Sequence, residues 1–201
     1  MKILNLYCGL GGNRKLWGST HQITAVEYDP AIAVIYQKQN PNDQVVIGDA
    51  HEFLLNNYKD YDLIWSSPPC PTHSSFRFNI GVRFRGVAAD YPDMRLYQEI
   101  IFLKHHAIGK WIVENVKPYY DPLIKPNVIL QRHYFWSNFQ IAAAEFKSDN
   151  VRSAQIPDLQ QLHGIDLTDY KIPEKRKLLR NCVYPPVGLH ILNEAIVKRY
   201  E

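Results

Sequence analysis

The stretch KILNLYCGLGG, residues 2–12, is an apolar run that leads directly into a cluster of glycines. The run from Lys2 to Tyr7 is short and mostly apolar, which is typical of a strand buried within a parallel sheet. Glycines after such a strand let the backbone turn sharply and approach a ligand, although many such clusters are only tight turns. Their spacing is not Gly-x-Gly-x-x-Gly, so it does not favour a nicotinamide dinucleotide. The stretch predicts the first strand of an α/β sheet with a ligand site at its carboxyl end.

Predicted strands and helices alternate beyond this stretch. Further strands are predicted over residues 23–28, 45–48, 61–66 and 110–116, and helices over residues 30–39, 50–58 and 92–106. This alternation predicts an α/β fold with a mostly parallel sheet and helices on both faces. The helix over 92–106 is expected to bury Met94, Tyr97, Ile101 and Leu103. Residues 128–136 favour one or two more strands, residues 138–157 are weakly patterned, and residues 185–200 favour a C-terminal helix.

Composition and charge limit the class of protein. A length of 201 residues fits one domain, and we see no linker that would divide the chain. A net charge of +3 permits an anionic partner without requiring one. Cys8, Cys70 and Cys182 lie far apart, which argues against disulfides and against a zinc site. The N-terminus does not resemble a signal peptide, and no apolar run approaches the roughly 20 residues that span a bilayer. We expect an intracellular protein with no metal site and no membrane partner.

Acidic residues end the second and third predicted strands. Glu27 can accept hydrogen bonds from both hydroxyls of a ribose, and Asp49 can accept one from the amine of adenine. Tyr28, beside Glu27, offers a ring for stacking on adenine. Both acids also suit the N-cap of a following helix, Asp49 in particular. An acid at both positions after a glycine loop favours an adenosine-containing cofactor.

The fourth predicted strand leads into the sequence SSPPCPTHS at residues 66–74. Prolines hold Cys70 in a rigid, exposed turn, where a thiolate can act as a nucleophile. The alternative is a small apolar residue in a turn. The fifth strand ends near Glu114, which is expected to face the same crevice. Its carboxyl group could bind the ring nitrogen and amine of cytosine, or could be a helix cap or a charge on the rim.

These motifs, in this order, resemble those of the DNA cytosine-5 methyltransferase family. The most specific element is Pro-Cys at residues 69–70, followed 44 residues after Cys70 by Glu-Asn-Val at residues 114–116. The resemblance spans nearly the whole chain. Its other motifs are Tyr7 to Gly12, Glu27-Tyr28-Asp29, Gly48-Asp49, Leu130-Gln131-Arg132-His133-Tyr134 and Asn181-Cys182-Val183-Tyr184-Pro185-Pro186.

The resemblance implies a Rossmann-like, S-adenosylmethionine-dependent methyltransferase fold and a covalent mechanism on DNA. Cys70 would attack carbon 6 of a flipped-out cytosine. Glu114 would bind the ring and protonate nitrogen 3, and Arg132 would stabilise the attacked ring, with an ordinary surface arginine as the alternative. Carbon 5 would then accept the methyl group. The implied cofactor contacts are Tyr7, Gly9, Leu10, Gly11, Gly12, Glu27, Tyr28, Asp49, Ala50, Pro69, Asn181 and Val183.

The long polar segment from Pro68 to Tyr91 matches the mobile catalytic loop of the family. Its arginines and phenylalanines suit phosphate contact and insertion into a groove. The alternative is a solvated basic loop. The implied DNA contacts are Ser74, Arg77, Arg83 and Arg85.

The sequence departs from the family pattern at three places. Pro71 stands where glutamine usually follows the cysteine, and Leu130 where a further arginine is expected. Only residues 138–177 occupy the place of the target-recognition domain, so residues 1–201 are expected to form one catalytic domain with that module absent or vestigial. Sequence choice would then come from the catalytic loop, a specificity partner or a second subunit of a homo-oligomer, or it would be weak. A minimal phage or bacterial methyltransferase of the cytoplasm is favoured over an RNA cytosine-5 methyltransferase and a non-catalytic nucleic-acid-binding or regulatory subunit.

Overall fold

A seven-stranded sheet forms the centre of the described chain. The computed structural model describes residues 1–147, 151 and 153–197. The strands are β1 (Lys2–Leu6), β2 (Gln22–Glu27), β3 (Gln44–Ile47), β4 (Leu63–Ser66), β5 (Lys110–Val116), β6 (Val128–Leu130) and β7 (His133–Ser137). They lie in the order β3-β2-β1-β4-β5-β7-β6. The first five pair in parallel, whereas β7 is antiparallel to both of its neighbours. The predicted mostly parallel sheet is confirmed.

Helices cover both faces of this sheet, as predicted. They are α1 (Pro30–Gln39), α2 (Ala50–Asn57), α3 (Arg83–Arg85), α4 (Arg95–His106), α5 (Ile156–His163), α6 (Lys175–Asn181) and α7 (Pro185–Ile196). Successive side chains of a strand point to opposite faces. Ile3 of β1 therefore packs in one cluster with Ile191 of α7, whereas Leu4 packs in another with Leu54 of α2 and Ile100 of α4. In the described residues, no helix is long and apolar enough to cross a bilayer.

Two aspartates explain where the first crossover helices begin. Asp29 accepts hydrogen bonds from the backbone of Ala31 and caps α1, whose first residue is a proline. Asp49 caps α2 in the same way, because its Oδ1 accepts from the backbone nitrogens of His51 and Glu52 at 2.8 and 3.2 Å. The helix-cap interpretation is therefore correct for Asp49, whereas α1 is capped by Asp29 and not by Glu27.

Some predicted elements need correction. The helix predicted over 92–106 begins at Arg95, and its buried side chains are Leu96, Tyr97, Glu99, Ile100 and Leu103. Met94 and Ile101, which were predicted to be buried, are 46% and 52% exposed. The pattern placed these residues on the wrong face of α4, because the face that meets the sheet runs through Leu96, Ile100 and Leu103. The last residues of the predicted C-terminal helix, 198–200, lie outside the described residues.

A buried ion pair secures the loop that follows β1. Arg14 donates to both carboxylate oxygens of Asp43, at 2.8 and 2.9 Å. The hydroxyl of Tyr36 on α1 donates to the same carboxylate at 2.8 Å. All three side chains are almost fully buried. The glycine loop is thereby held between the sheet and α1.

A second buried carboxylate connects the ends of two strands. Glu99 of α4 is fully buried and accepts hydrogen bonds from the hydroxyls of Tyr7 and Ser66, at 2.6 and 2.5 Å. The Nδ1 atom of His51 lies 2.9 Å from the same carboxylate, and this contact raises the pKa of His51. Tyr7 directly follows β1 and Ser66 ends β4, so one side chain fixes the starting points of two loops.

Candidate active site

A cavity of about 650 Å³ opens at the carboxyl ends of β1, β2, β4 and β5. Its volume is in the range of about 300–1,000 Å³ that is common for ligand and cofactor sites. This edge is also where open α/β sheets bind ligands. The predicted cofactor contacts that line it are Tyr7, Gly9, Leu10, Gly12, Glu27, Tyr28, Asp49, Ala50, Pro69, Asn181 and Val183. Cys70 and Glu114 line the same cavity.

Two glycines of the loop after β1 have different surroundings. A side chain at Gly12 would begin 2.6 Å from the carbonyl oxygen of Val183, so this loop and the segment after α6 approach too closely for any other residue. Gly11 has a φ of +77°, and a side chain there would begin 2.9 Å from the ring of Tyr36. Gly11 thus faces α1, and the structure does not bring it to the cavity wall with the other predicted contacts.

Glu27 lies at the cavity wall with both carboxylate oxygens already oriented. Oε2 accepts from the backbone nitrogen of Gly9 at 2.9 Å, and Oε1 from that of Asp29 at 3.0 Å. A carboxylate oxygen has two lone pairs, so each can accept one more hydrogen bond from a ligand hydroxyl. The neighbouring Tyr28 is 77% exposed, which leaves its ring available for stacking. These features fit the ribose and base of an adenosine.

Cys70 lies in a turn that begins directly after β4. Its carbonyl oxygen accepts from the backbone nitrogens of His73 and Ser74, at 3.0 and 3.1 Å. Asn115 of β5 donates its side-chain amide to the carbonyl of Pro68 at 2.9 Å, which ties the turn to the neighbouring strand. Burial and then the charge of Glu114 raise the pKa of the Cys70 thiol to about 11. The sulfur is therefore a neutral thiol near pH 7.

Glu114 lies near the end of β5 and is almost fully buried. Burial raises the pKa of its carboxyl group to about 7, against the lowering effects of a hydrogen bond with Ser67 and of the charge of Arg132. The Nε2 atom of His133 lies 3.6 Å from Glu114 Oε1. Burial also holds the pKa of His133 well below its ordinary value, so this ring is neutral and does not compensate a negative charge on Glu114. Glu114 can therefore hold or release a proton near neutral pH.

Arg132 lies in the tight turn between β6 and β7. Its guanidinium Nη2 donates to the carbonyl oxygens of Arg180 and Cys182, at 2.5 and 3.1 Å. Arg132 is not among the cavity-lining residues of the described chain. Its positive charge nevertheless lowers the pKa values of both Cys70 and Glu114. The structure thus brings this charge close to the two reactive groups.

The predicted catalytic loop contains a π-helical segment, Arg77–Val82, and the short helix α3. Arg77 pairs with Asp90 at 2.5 Å, and the guanidinium of Arg83 lies 4.8 Å from the ring centre of Phe78. Phe84 is 80% exposed. Ser74 accepts from the backbone nitrogen of Arg77 and forms an isolated bridge with Pro118, whereas Arg85 is exposed at the end of α3. The four predicted DNA contacts therefore belong to one segment beside the turn of Cys70.

Sequence reasoning missed several residues of the site. His133, Leu178 and Cys182 also line the cavity, and the charge of Lys177 lowers the pKa of Cys70. The burial of His133 could have been predicted, because His133 and the apolar Phe135 are two residues apart in a strand and so lie on the same face of the sheet. Among the described residues, no group of three His, Cys, Asp or Glu side chains is suited to hold a metal ion.

Comparison with known proteins identifies a family. Residues 1–118 match the family model described as C-5 cytosine-specific DNA methylase. The solved structure of the Entamoeba histolytica methyltransferase EhMeth aligns with a TM-score of 0.54 and 8% identity over 97% of each chain, which shows a shared fold. A putative methyltransferase yhhF from Escherichia coli aligns over 68% of this chain and 73% of its own, with a TM-score of 0.42 and 18% identity. Among curated proteins, none matches the sequence.

Proposed function

The chain belongs to the C-5 cytosine-specific DNA methylase family, and on that premise we propose that it methylates carbon 5 of cytosine in DNA through a covalent adduct with Cys70. The observation that carries this proposal is the composition of one cavity. It combines the thiol of Cys70, a carboxyl group of Glu114 with a pKa of about 7, and the glycine loop with Glu27. A binding module would need neither the thiol nor the protonated acid beside it.

The cofactor of the reaction is S-adenosyl-L-methionine, and the glycine-loop side of the cavity fits it. Glu27 would accept from the ribose hydroxyls, and the exposed ring of Tyr28 would stack on adenine. The Oδ1 atom of Asp49 caps α2, so its Oδ2 atom would accept from the adenine amine. Asn181 and Val183 would contact the methionine part. When bound, the cofactor supplies an electrophilic methyl group for carbon 5.

The side chains of the chain itself prepare the base. The Cys70 thiol must first release its proton to solvent water, which the positive charges of Arg132 and Lys177 favour because they lower its pKa. The sulfur then bonds to carbon 6 while Glu114 donates its proton to nitrogen 3, which leaves carbon 5 electron-rich. After methylation, carbon 5 releases its proton to solvent water, the electron pair of that bond re-forms the double bond between carbons 5 and 6, and Cys70 leaves carbon 6 as a thiolate. Glu114 takes back the proton from nitrogen 3 and is ready for the next turnover.

The packing of residues 156–167, within the segment of residues 138–177, supports the prediction that a target-recognition domain is absent or vestigial. Leu159 of α5, with Ile165 and Leu167 after it, is buried in one cluster with Leu10 of the glycine loop and Ile35 of α1. This part of the segment therefore covers the cofactor side of the fold. Few of the described residues of the segment remain for hydrogen bonds to base edges, and each good bidentate pair of such bonds contributes about 1–3 kcal/mol of discrimination. A short or degenerate site, cytosine with about one to three neighbours, follows from this proposal.

Methyl transfer to defined substrates tests the proposal. Labelled S-adenosylmethionine is incubated with duplex DNA, single-stranded DNA or tRNA, and the nucleosides are analysed for 5-methylcytosine. We expect product in DNA from the wild-type protein and none from Cys70→Ser, which should still bind the cofactor. DNA containing 5-fluorocytosine should form a denaturant-stable adduct with the wild type alone. Product in tRNA only would support an RNA enzyme, and cofactor binding without any product would support a regulatory subunit.

A further inference from the structure

Helix α6 carries a dense group of basic side chains next to the cavity. Residues 171–180 contain five lysines and arginines and one glutamate, so this segment has a net charge of +4, against +3 for the whole chain. Leu179 and Cys182 are buried in the same cluster as Leu10 of the glycine loop. The basic residues Lys175, Arg176 and Arg180 are partly exposed, and Lys177 is exposed. We name Lys171, Lys175, Arg176, Lys177 and Arg180 the α6 basic surface.

The α6 basic surface borders the cavity that contains the nucleophile. Leu178 and Asn181 of the same helix line the cavity together with Cys70. The charge of Lys177 is close enough to lower the pKa of the Cys70 thiol. The guanidinium of Arg180 lies 5.1 Å from the ring centre of Phe76, just before the predicted catalytic loop's π-helical segment. The helix thus lies beside the turn of Cys70 and contacts the catalytic loop.

Positive charge is concentrated in these two segments. Residues 77–85 contain three arginines and no acid, and residues 171–180 add a net charge of +4. The two segments together carry +7, so the rest of the chain carries −4. A basic patch on an otherwise acidic protein concentrates attraction for a polyanion at one place. Both segments adjoin the site, because Leu178 of α6 lines the cavity with Cys70 and residues 77–85 follow the turn of Cys70 in the chain.

We propose that the α6 basic surface, which adjoins the catalytic loop at Phe76, binds the phosphates of the DNA strand that carries the target cytosine. This inference rests on the proposed function. Lys177 pairs with Glu174, at 2.9 Å between two exposed side chains, and such a pair is weak enough to exchange for a phosphate. The guanidinium of Arg180 lies over the ring of Phe76, 5.1 Å from its centre, and this contact restricts its orientation before a phosphate binds. Helix α6 would thus supply contacts to the sugar-phosphate backbone of the DNA in place of those of a target-recognition domain.

Phosphate contacts of this kind fix the strand without reading its sequence. The α6 basic surface would therefore contribute affinity and salt dependence, and would leave sequence choice unchanged. This separates its role from that of a target-recognition domain. The role of the α6 basic surface also differs from that of Cys70 and Glu114, because the loss of its phosphate contacts should weaken DNA binding and leave cofactor binding unchanged.

The test compares two double variants with the same change in charge. Lys177→Ala with Arg180→Ala removes two cations from the α6 basic surface. Lys59→Ala with Lys104→Ala removes two from the opposite edge of the sheet, because Lys59 lies shortly before β4 and Lys104 lies in the last turn of α4, which leads into β5. Binding of a fluorescein-labelled DNA duplex of about 20 base pairs, containing cytosines, is measured by anisotropy from about 0.05 to 0.3 M salt. Calorimetry with S-adenosylmethionine verifies that each variant is folded.

We expect the α6 double variant to raise Kd at least about tenfold at 0.1 M salt and to reduce the slope of log K against log salt by about 1.8, or about 0.9 for each contact. The control pair should stay within about twofold of the wild type, and Arg180→Lys alone should keep the wild-type slope. Equal weakening by both double variants, or an unchanged Kd in the α6 variant, would overturn the inference while leaving the proposed function intact. A wild type that binds no DNA, or binds only RNA, would overturn the DNA proposal and this inference with it.

Discussion

Replacement of Glu114 by glutamine should change how the stability of the protein depends on pH. Burial raises the pKa of Glu114 from 4.5 to about 7. The folded state therefore binds this proton more tightly than the unfolded state, so the associated stability is fully present below pH 4.5 and is lost as the pH rises through 7. At about 1.4 kcal/mol per pKa unit, the total loss is about 3.5 kcal/mol, of which about 2.5 kcal/mol develops between pH 5 and 8. Glutamine has a similar shape and no charge, so Glu114→Gln removes this loss.

The assay is urea unfolding of the wild type and Glu114→Gln at pH 5 and pH 8. The free energy of unfolding of the variant, minus that of the wild type, should be about 2.5 kcal/mol more positive at pH 8 than at pH 5. Contributions of the buried histidines His133 and His163 are common to both proteins and cancel in this difference. The exposed Glu145 provides a matched control, because Glu145→Gln makes the same change in charge without the burial. A difference that does not vary with pH would refute the reasoning that burial keeps Glu114 protonated near neutrality.

Three further results are expected. Gly12→Ala should lower the free energy of unfolding by about 1–3 kcal/mol in urea titrations, because the added carbon would lie 2.6 Å from the carbonyl oxygen of Val183. Asp43→Asn should cost about 3–5 kcal/mol in the same assay, since it leaves the buried charge of Arg14 without its carboxylate; a loss below about 1 kcal/mol would contradict this. Alkylation of Cys70 by iodoacetamide at pH 8, followed by peptide mass spectrometry, should be about 100-fold slower than for a cysteine of ordinary pKa, because its own pKa is about 11.

The sequence was most informative about residues that follow strands of the parallel sheet. Such strands all end at one edge, so the side chains after them converge even when they are far apart in the chain. Glu27 at the end of β2, Cys70 after β4 and Glu114 in β5 were all predicted on this basis, and all three line one cavity. The beginning of α1 could also be predicted from neighbouring residues alone, because an aspartate at the N-cap and a proline in the first turn mark it.

Elements that depend on contacts distant in sequence were not predicted. Helix α6 has only seven residues and is stabilised where Leu179 packs near Leu10, an arrangement that no local pattern encodes. The placement of His133 beside Glu114 depends on the insertion of β7 between β5 and β6. The pKa values of Cys70 and Glu114 likewise follow from burial, which only the folded chain determines.

The carboxylate of Glu99 has a consequence for how two ligands would influence one another. It accepts hydrogen bonds from Tyr7, which leads into the glycine loop, and from Ser66, which leads into the turn of Cys70. Movement of either loop changes the geometry at a shared acceptor that is completely buried. When one ligand orders its loop, it also fixes the position of Glu99, so the second ligand needs less free energy to order the other loop. Thermodynamic linkage makes this effect on affinity the same in both directions. Cofactor and target base are therefore expected to bind with positive cooperativity, transmitted by a single side chain that touches neither of them.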